Sequence, residues 1–263
     1  MTAAIAGGVR RVSRLDAINP VAKLATAVIV GAVLLLSLDA LSASVALVLE
    51  LALFALARVD PRRLLLRSSV ILVAALLAGM TVAFYGRASG AVRLEFLFAH
   101  VTDGSLALAG ATVLRILAIG VPAVILFMSI DPTDLADGLG QILHLPSRFV
   151  LGGLAALRLI DLFADDWRSL ELARRARGIA DRGRARRLAG MSFALLVLSL
   201  RRGSKLATAM EARGFGGSTR RSWARPSRFG AGEWVLIAVG VAVVTIATTS
   251  AVAAGTWRFL GAA

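Results

Sequence analysis

The sequence contains no cysteine, which excludes disulfides, thiolate metal sites and a cysteine nucleophile. It has only two histidines, His100 and His144, and their wide separation argues against a histidine-rich metal site. Charged residues are scarce as well: they form 17% of the chain, where a soluble domain carries about 25%. Hydrophobic residues take their place and make up 58% of the 263 positions. This composition predicts an integral membrane protein.

Long apolar segments support that prediction. A helix needs roughly 20 apolar residues to cross the hydrocarbon core of a bilayer. Five segments qualify, at residues 24–38, 40–57, 64–85, 105–128 and 234–255. Only a short break at Asp39 separates the first two, which predicts a tight helical hairpin. The expected fold class is an all-α membrane protein with about five transmembrane helices and two or three long cytoplasmic helices.

The charges between these segments predict the orientation. Basic residues of short loops stay on the cytoplasmic side. The first connection carries only Asp39, and the third, residues 86–104, has balanced charge. The N-terminus and the second connection are basic, through Arg10, Arg11, Arg14, Lys23, Arg58, Arg62, Arg63 and Arg67. We therefore expect a cytoplasmic N-terminus and a C-terminus on the opposite side.

Residues 129–232 then form a basic cytoplasmic segment, with 18 basic and 9 acidic residues. The domain organisation predicted is a four-span region at 1–128, this segment at 129–232, and a final span with the C-terminus at 233–263. Two apolar stretches inside the segment, 149–163 and 188–200, are too short to span a membrane. The second is apolar nearly all round, which predicts that it is buried.

Two charged residues fall inside predicted spans. Glu50 and Arg115 each lie about ten residues from the outer end of a span, so both are expected at a similar depth. Charges at that depth are costly and usually pair. We therefore predict a Glu50–Arg115 ion pair, with a structural role favoured over a substrate or proton site.

The tripeptide Ala-Arg-Gly occurs twice in the basic segment. Each copy follows a predicted helix, and glycine is favoured just past a helix end because it adopts positive φ without strain. The preceding arginine then suits the negative end of the helix dipole, and the alanine leaves room for a neighbour. Such a guanidinium can bind a carboxylate in an acidic groove through two parallel hydrogen bonds. The two sites are Ala176-Arg177-Gly178 and Ala212-Arg213-Gly214.

These paired sites resemble those of the T component, the transmembrane coupling subunit, of energy-coupling-factor transporters. These transporters are ABC-type importers of vitamins and of cobalt or nickel. The resemblance implies that Arg177 and Arg213, with Arg175 as a weaker neighbour, bind ATPase subunits from the tips of coupling helices. Softer matches are Leu15-Asp16, Asn19-Pro20 with Lys23, the run from Asp131 to Leu135, and Leu145-Pro146.

The resemblance also implies the partners and the location. We expect two ABC ATPase subunits, identical or different, a small substrate-binding membrane subunit, the lipid bilayer, and no nucleic acid. The chain would be a multi-pass protein of the bacterial plasma membrane. It would be no enzyme and would bind no cofactor, because ATP would be bound and hydrolysed by the partner subunits.

Three other functions compete with this interpretation. The first is a membrane-bound enzyme acting on lipid, whose site would be formed by Asp131, Asp134 and Asp137. Capping of a helix N-terminus is the favoured role of these aspartates. A secondary transporter would normally need more spans and an internal repeat. Nucleic-acid binding is disfavoured because apolar runs interrupt the arginines of the basic segment.

Overall fold

The computed structural model describes residues 17–37, 39–57, 59–86, 89, 91–96, 99–178, 183–217 and 222–257. Within these ranges it contains eight α-helices and one antiparallel pair of strands, so the predicted all-α membrane fold is confirmed. The N-terminal Arg10, Arg11, Arg14 and Leu15-Asp16, and also Arg58, lie outside the described residues. In chain order the elements are α1 (Pro20–Leu36), α2 (Ala40–Leu56), α3 (Pro61–Tyr85), β1 (Val92–Phe96), β2 (Ala99–Thr102), α4 (Asp103–Met128), α5 (Pro132–Gln141), α6 (Ser147–Ala176), α7 (Arg184–Ala212) and α8 (Ala231–Ala253).

The apolar helices differ in length. Three segments, Leu64–Tyr85 of α3 and the whole of α4 and α8, are long and apolar enough to cross a membrane. Helices α1 and α2 are apolar but have only 17 residues each, a length of about 25 Å. This length is slightly less than the thickness of the hydrocarbon core, which is about 30 Å.

The chain divides into two compact units. The first comprises residues 1–135 and 228–263, and the second residues 136–227. The first unit holds α1 to α4, the strand pair and α8. The second holds α6, α7 and most of α5.

Four helices of the first unit form its core. Helices α4 and α8 each pack against both α1 and α2, while α3 packs on the outside of α4. Close packing relies on small side chains: Gly240 of α8 lies so near Thr26 of α1 that an added Cβ would come within 2.5 Å of a methyl group. The buried core residues are Val30, Leu34, Ala46, Ala118, Val243, Val244 and Ala247.

Hydrogen bonds join the helices at the end of this bundle where α1 begins, called here the Lys23 end. The ammonium of Lys23, which is almost fully buried, donates to the carbonyl of Ser129 at the C-terminus of α4 (3.0 Å). A cation is favourable there because of the helix dipole. The carboxylate of Glu233 accepts from the backbone N–H groups of Asn19 (3.1 Å) and Gly230 (2.8 Å). The starts of α1 and α8 and the end of α4 are thereby fixed together.

The opposite end, called the Asp39 end, contains the turn between α1 and α2. Asp39 accepts from the backbone N–H of Ser42 and from its hydroxyl, both at 2.7 Å, and so caps α2. The hydroxyl of Ser37 donates to the same carboxylate. These bonds hold the short connection between α1 and α2 in place, while along their lengths the two helices pack against α4 and α8.

The connection at residues 86–104 contains a β-hairpin that the hydropathy pattern did not predict. Strands β1 and β2 pair antiparallel, with a bulge on β1. The hairpin leads directly into α4, where Thr102 and Ser105 form a capping box through reciprocal side-chain-to-backbone bonds. The hydroxyl of Ser105 also donates to the carbonyl of Ala83 (3.0 Å), which links α4 to the end of α3.

Replacing Glu233 with alanine tests the Lys23 end. The Glu233→Ala change leaves the N–H groups of Asn19 and Gly230 without their acceptor, and we expect a loss of about 1–3 kcal/mol in the free energy of unfolding. Unfolding of the purified protein in detergent measures it. Glu211→Ala, at an exposed glutamate of α7, is the control and should change stability little. Equal stability of the two variants would contradict this role of Glu233.

Candidate functional site

The second unit presents α6 and α7 as an antiparallel helical pair. Near the middle, the two terminal nitrogens of the Arg202 guanidinium, Nη1 and Nη2, donate to the Asp166 carboxylate, at 2.5 and 3.0 Å. Farther along α6, the guanidinium of Arg174 lies against Gly190 of α7. A later residue of α6 thus faces an earlier residue of α7, so the helices are antiparallel. Their C-termini therefore lie at opposite ends of the pair.

Sequence reasoning missed the Asp166–Arg202 pair. The two residues are 36 positions apart, so no spacing within one helix indicates them. The hydrogen bonds to the Asp166 carboxylate raise the pKa of the Arg202 guanidinium. A two-pronged contact of this kind fixes the relative position of two helices better than a single hydrogen bond does.

The first predicted arginine site closes α6. Arg177 is the C-cap, and its N–H donates to the carbonyl of Ala173 (3.3 Å). Gly178 follows with φ +66°, and its N–H donates to the carbonyl of Arg175 (3.0 Å). The positive φ predicted for this glycine is confirmed. An L-residue with a side chain would be strained in the same conformation.

The second site closes α7 in the same way. Arg213 is the C-cap, and Gly214 follows with φ +79°. The N–H of Gly214 donates to the carbonyl of Glu211 (2.8 Å), and that of Phe215 donates to the carbonyl of Met210 (2.9 Å). These two bonds define a Schellman motif, which satisfies the last carbonyls of the helix without using any side chain. The guanidinium of Arg213 is therefore not needed to cap its own helix.

Both tripeptides are exposed. Ala176, Arg177 and Gly178, and likewise Ala212, Arg213 and Gly214, are accessible in their unit. Among the side chains that the structure describes, neither the Arg177 nor the Arg213 guanidinium has a hydrogen-bond or ion-pair partner. Arg175 differs, because it donates to Glu171 one turn earlier (2.9 Å). The two unpaired arginines lie at opposite ends of the α6–α7 pair, on the order of 30 Å apart by residue count.

A groove of about 630 Å³ runs between α6 and α7. Its wall is mostly apolar, with Leu154 and Met210, but it also contains Arg158, Arg202 and Arg213. Nearby apolar side chains remain uncovered. The prediction that residues 188–200 are buried is wrong. In the isolated chain, Phe193 is 68% exposed and Leu200 is 63% exposed. The stretch is apolar all round, but α6 covers only one of its sides.

The predicted Glu50–Arg115 ion pair is also wrong. Among the described residues, the two carboxylate oxygens of Glu50 have no hydrogen-bond partner, and the Nε of Arg115 has none either. The carboxylate that attracts Arg115 electrostatically is Asp39. The prediction counted depth from the start of each span, but α4 is a 26-residue helix beside a 17-residue α2. Arg115 therefore lies near the Asp39 end, at a different level from Glu50.

Of the three aspartates considered for lipid chemistry, Asp131 has a structural role. Asp131 accepts from the backbone N–H of Thr133 at 2.7 Å and from that of Asp134 at 3.4 Å, so the predicted cap of α5 is confirmed. Within the described ranges no group of three metal-ligating side chains comes together.

Comparison with known proteins adds independent information. The cobalt transport protein family model, CbiQ, matches residues 11–223, most of the chain. The energy-coupling factor transporter transmembrane protein EcfT of Bacillus selenitireducens is 32% identical over 162 residues. That alignment covers 57% of this chain and 60% of the relative, so the chain spans less than two thirds of the relative's length. The predicted resemblance to the T component of energy-coupling-factor transporters is thereby confirmed, and the chain belongs to the cobalt transport protein family.

Proposed function

We propose that this chain couples ATP hydrolysis by two partner ATPases to the movement of a substrate-binding membrane subunit. The observation that carries the proposal is the matched pair of helix ends. Each presents an exposed, unpaired arginine at the C-cap, followed by a glycine with positive φ. The family supports a transport role, and the name of the relative, an energy-coupling factor transporter transmembrane protein, supports a role in coupling transport to a source of energy.

Each arginine tip suits an acidic groove on an ATPase. The backbone caps α6 and α7 by itself, so Arg177 and Arg213 keep all their side-chain donors for a partner. A guanidinium can bind a carboxylate through two parallel hydrogen bonds. Because the two tips lie at opposite ends of the helix pair, one ATPase at each tip is the arrangement that fits. Arg175 is held by Glu171 and therefore has a lesser part.

The apolar surface of the helix pair supports contact with a membrane partner. Exposed large side chains on both helices include Phe149, Ile160, Phe193 and Leu200. Patches of this kind mark interfaces with proteins or lipid. We assign them to a small substrate-binding membrane subunit and to the bilayer surface, with the N-terminus of the chain in the cytoplasm of a bacterial cell.

The helix pair then transmits force. When ATP draws the two ATPases together, the bound tips of α6 and α7 move with them. The Asp166–Arg202 contact holds the helices together at their middle, so a displacement of the tips becomes a tilt of the pair. The partner seated on the apolar surface moves with it.

Reversing the charge of the tips tests the proposal. Arg177→Glu or Arg213→Glu should weaken ATPase binding by about 2–5 kcal/mol each, because an interfacial charge loses its partner. The double variant should release the ATPases while the protein stays in the membrane. Copurification of ATPases from the membrane measures this. Arg201→Glu, at an exposed arginine of α7 away from the tip, is the matched control; full ATPase retention by the double variant would refute the proposal.

A charge swap tests the transmission step. Asp166→Arg and Arg202→Asp should each reduce ATP-driven transport several-fold while ATPase binding is kept, because each places two like charges between α6 and α7. The combined variant restores an opposite pair and should recover most of the transport. Transport assays on reconstituted complexes decide. A combined variant no better than the single ones would exclude a role for this contact in coupling.

A further inference from the structure

The first unit contains a cavity that the coupling proposal does not use. It lies among α1, α2, α4 and α8 and measures about 230 Å³. Because α4 and α8 separate α1 from α2, these two helices stand on a diagonal of the four-helix arrangement and leave space between them. The wall is almost wholly apolar and includes Val30, Leu53, Phe54, Leu126 and Val239.

Glu50 is the exception in this wall. Glu50 is only 4% exposed, and neither of its carboxylate oxygens has a hydrogen-bond partner within the described part of the chain. No other ionisable side chain lines the cavity among the described residues. The nearby hydroxyl of Thr26 already donates to the carbonyl of Ala22 (2.8 Å). Buried polar groups without a partner are rare, and each calls for an explanation.

We propose that this cavity binds a small lipophilic amine, whose ammonium donates to Glu50 and whose apolar body fills the space between the helices. The acceptor needs a donor, and an ammonium also neutralises the charge of a buried carboxylate. The size is adequate, since an apolar cavity of roughly 150 Å³ already takes benzene.

Two other classes of ligand fit less well. Calcium and magnesium bind through six or more oxygen ligands, whereas the described residues of this wall offer one carboxylate. A phospholipid head group would bring a phosphate, which binds best to arginine or lysine. Within the described residues, no basic side chain lines the cavity. A free amine with a compact apolar body therefore matches the site best.

The test uses the full-length protein in lipid nanodiscs, with phenethylamine and 2-phenylethanol as probes of nearly equal shape. Isothermal titration should show saturable binding of the amine, about tenfold or more tighter than that of the alcohol, as a charge-assisted hydrogen bond implies. Glu50→Gln should abolish the preference for the amine. Glu211→Gln, at an exposed glutamate of α7, should preserve it.

A second variant covers the case in which Glu50→Gln does not fold. Ala27→Leu keeps Glu50 but fills part of the cavity, because Ala27 lies in its wall. It should weaken the binding of both probes. The proposal is overturned if the amine binds equally to the unmodified protein and to Glu50→Gln, if the alcohol binds as tightly as the amine, or if Ala27→Leu leaves the affinity for the amine unchanged. None of these results depends on the coupling role of α6 and α7.

Discussion

In a bilayer, the backbone donors and acceptors at the ends of a helix must find partners within the chain or at the membrane surface. The first unit meets part of this requirement with side chains that reach across to a neighbouring helix. Lys23 of α1 binds the C-terminus of α4, and Glu233 of α8 binds the N–H groups of Asn19 and Gly230. The bonds that complete the helix ends are also the bonds that hold α1, α4 and α8 in register. The packing of small residues between the helices depends on that register.

Backbone hydrogen bonds complete other helix ends, in both units. Helices α6 and α7 end in backbone hydrogen bonds made by glycines of positive φ, so the arginine at each tip is not consumed by capping. Helix α8 of the first unit ends in the same way, with Gly255 at φ +66°, but its C-cap is Ala254. The arginine beside the glycine is therefore what distinguishes the ends of α6 and α7. The exposed Arg177 and Arg213 and the uncovered apolar side chains of α6 and α7 are the features from which the partner contacts are proposed.

Much of this organisation is predictable because it is local. An apolar run predicts a helix, and a glycine after an arginine at the end of a run predicts the left-handed residue seen at Gly178 and Gly214. Asp131 could be identified as a cap because its partners are two and three residues away. The strand pair before α4 was not predicted, since its five- and four-residue strands are too short to stand out in a hydropathy profile.

The sequence by itself determined the apolar helices, the basic segment, the two arginine tips and the resemblance to the T component, because each depends on residues that are close along the chain. Only the tertiary structure decided which charges meet. Asp166 pairs with Arg202 across 36 positions, and Arg115 is attracted by Asp39. Glu50 faces a cavity and has no hydrogen-bond partner in the described part of the chain. These relations depend on the lengths and relative heights of separate helices. A difference of nine residues between α2 and α4, about 13 Å, is enough to separate two charges that seemed level in the sequence.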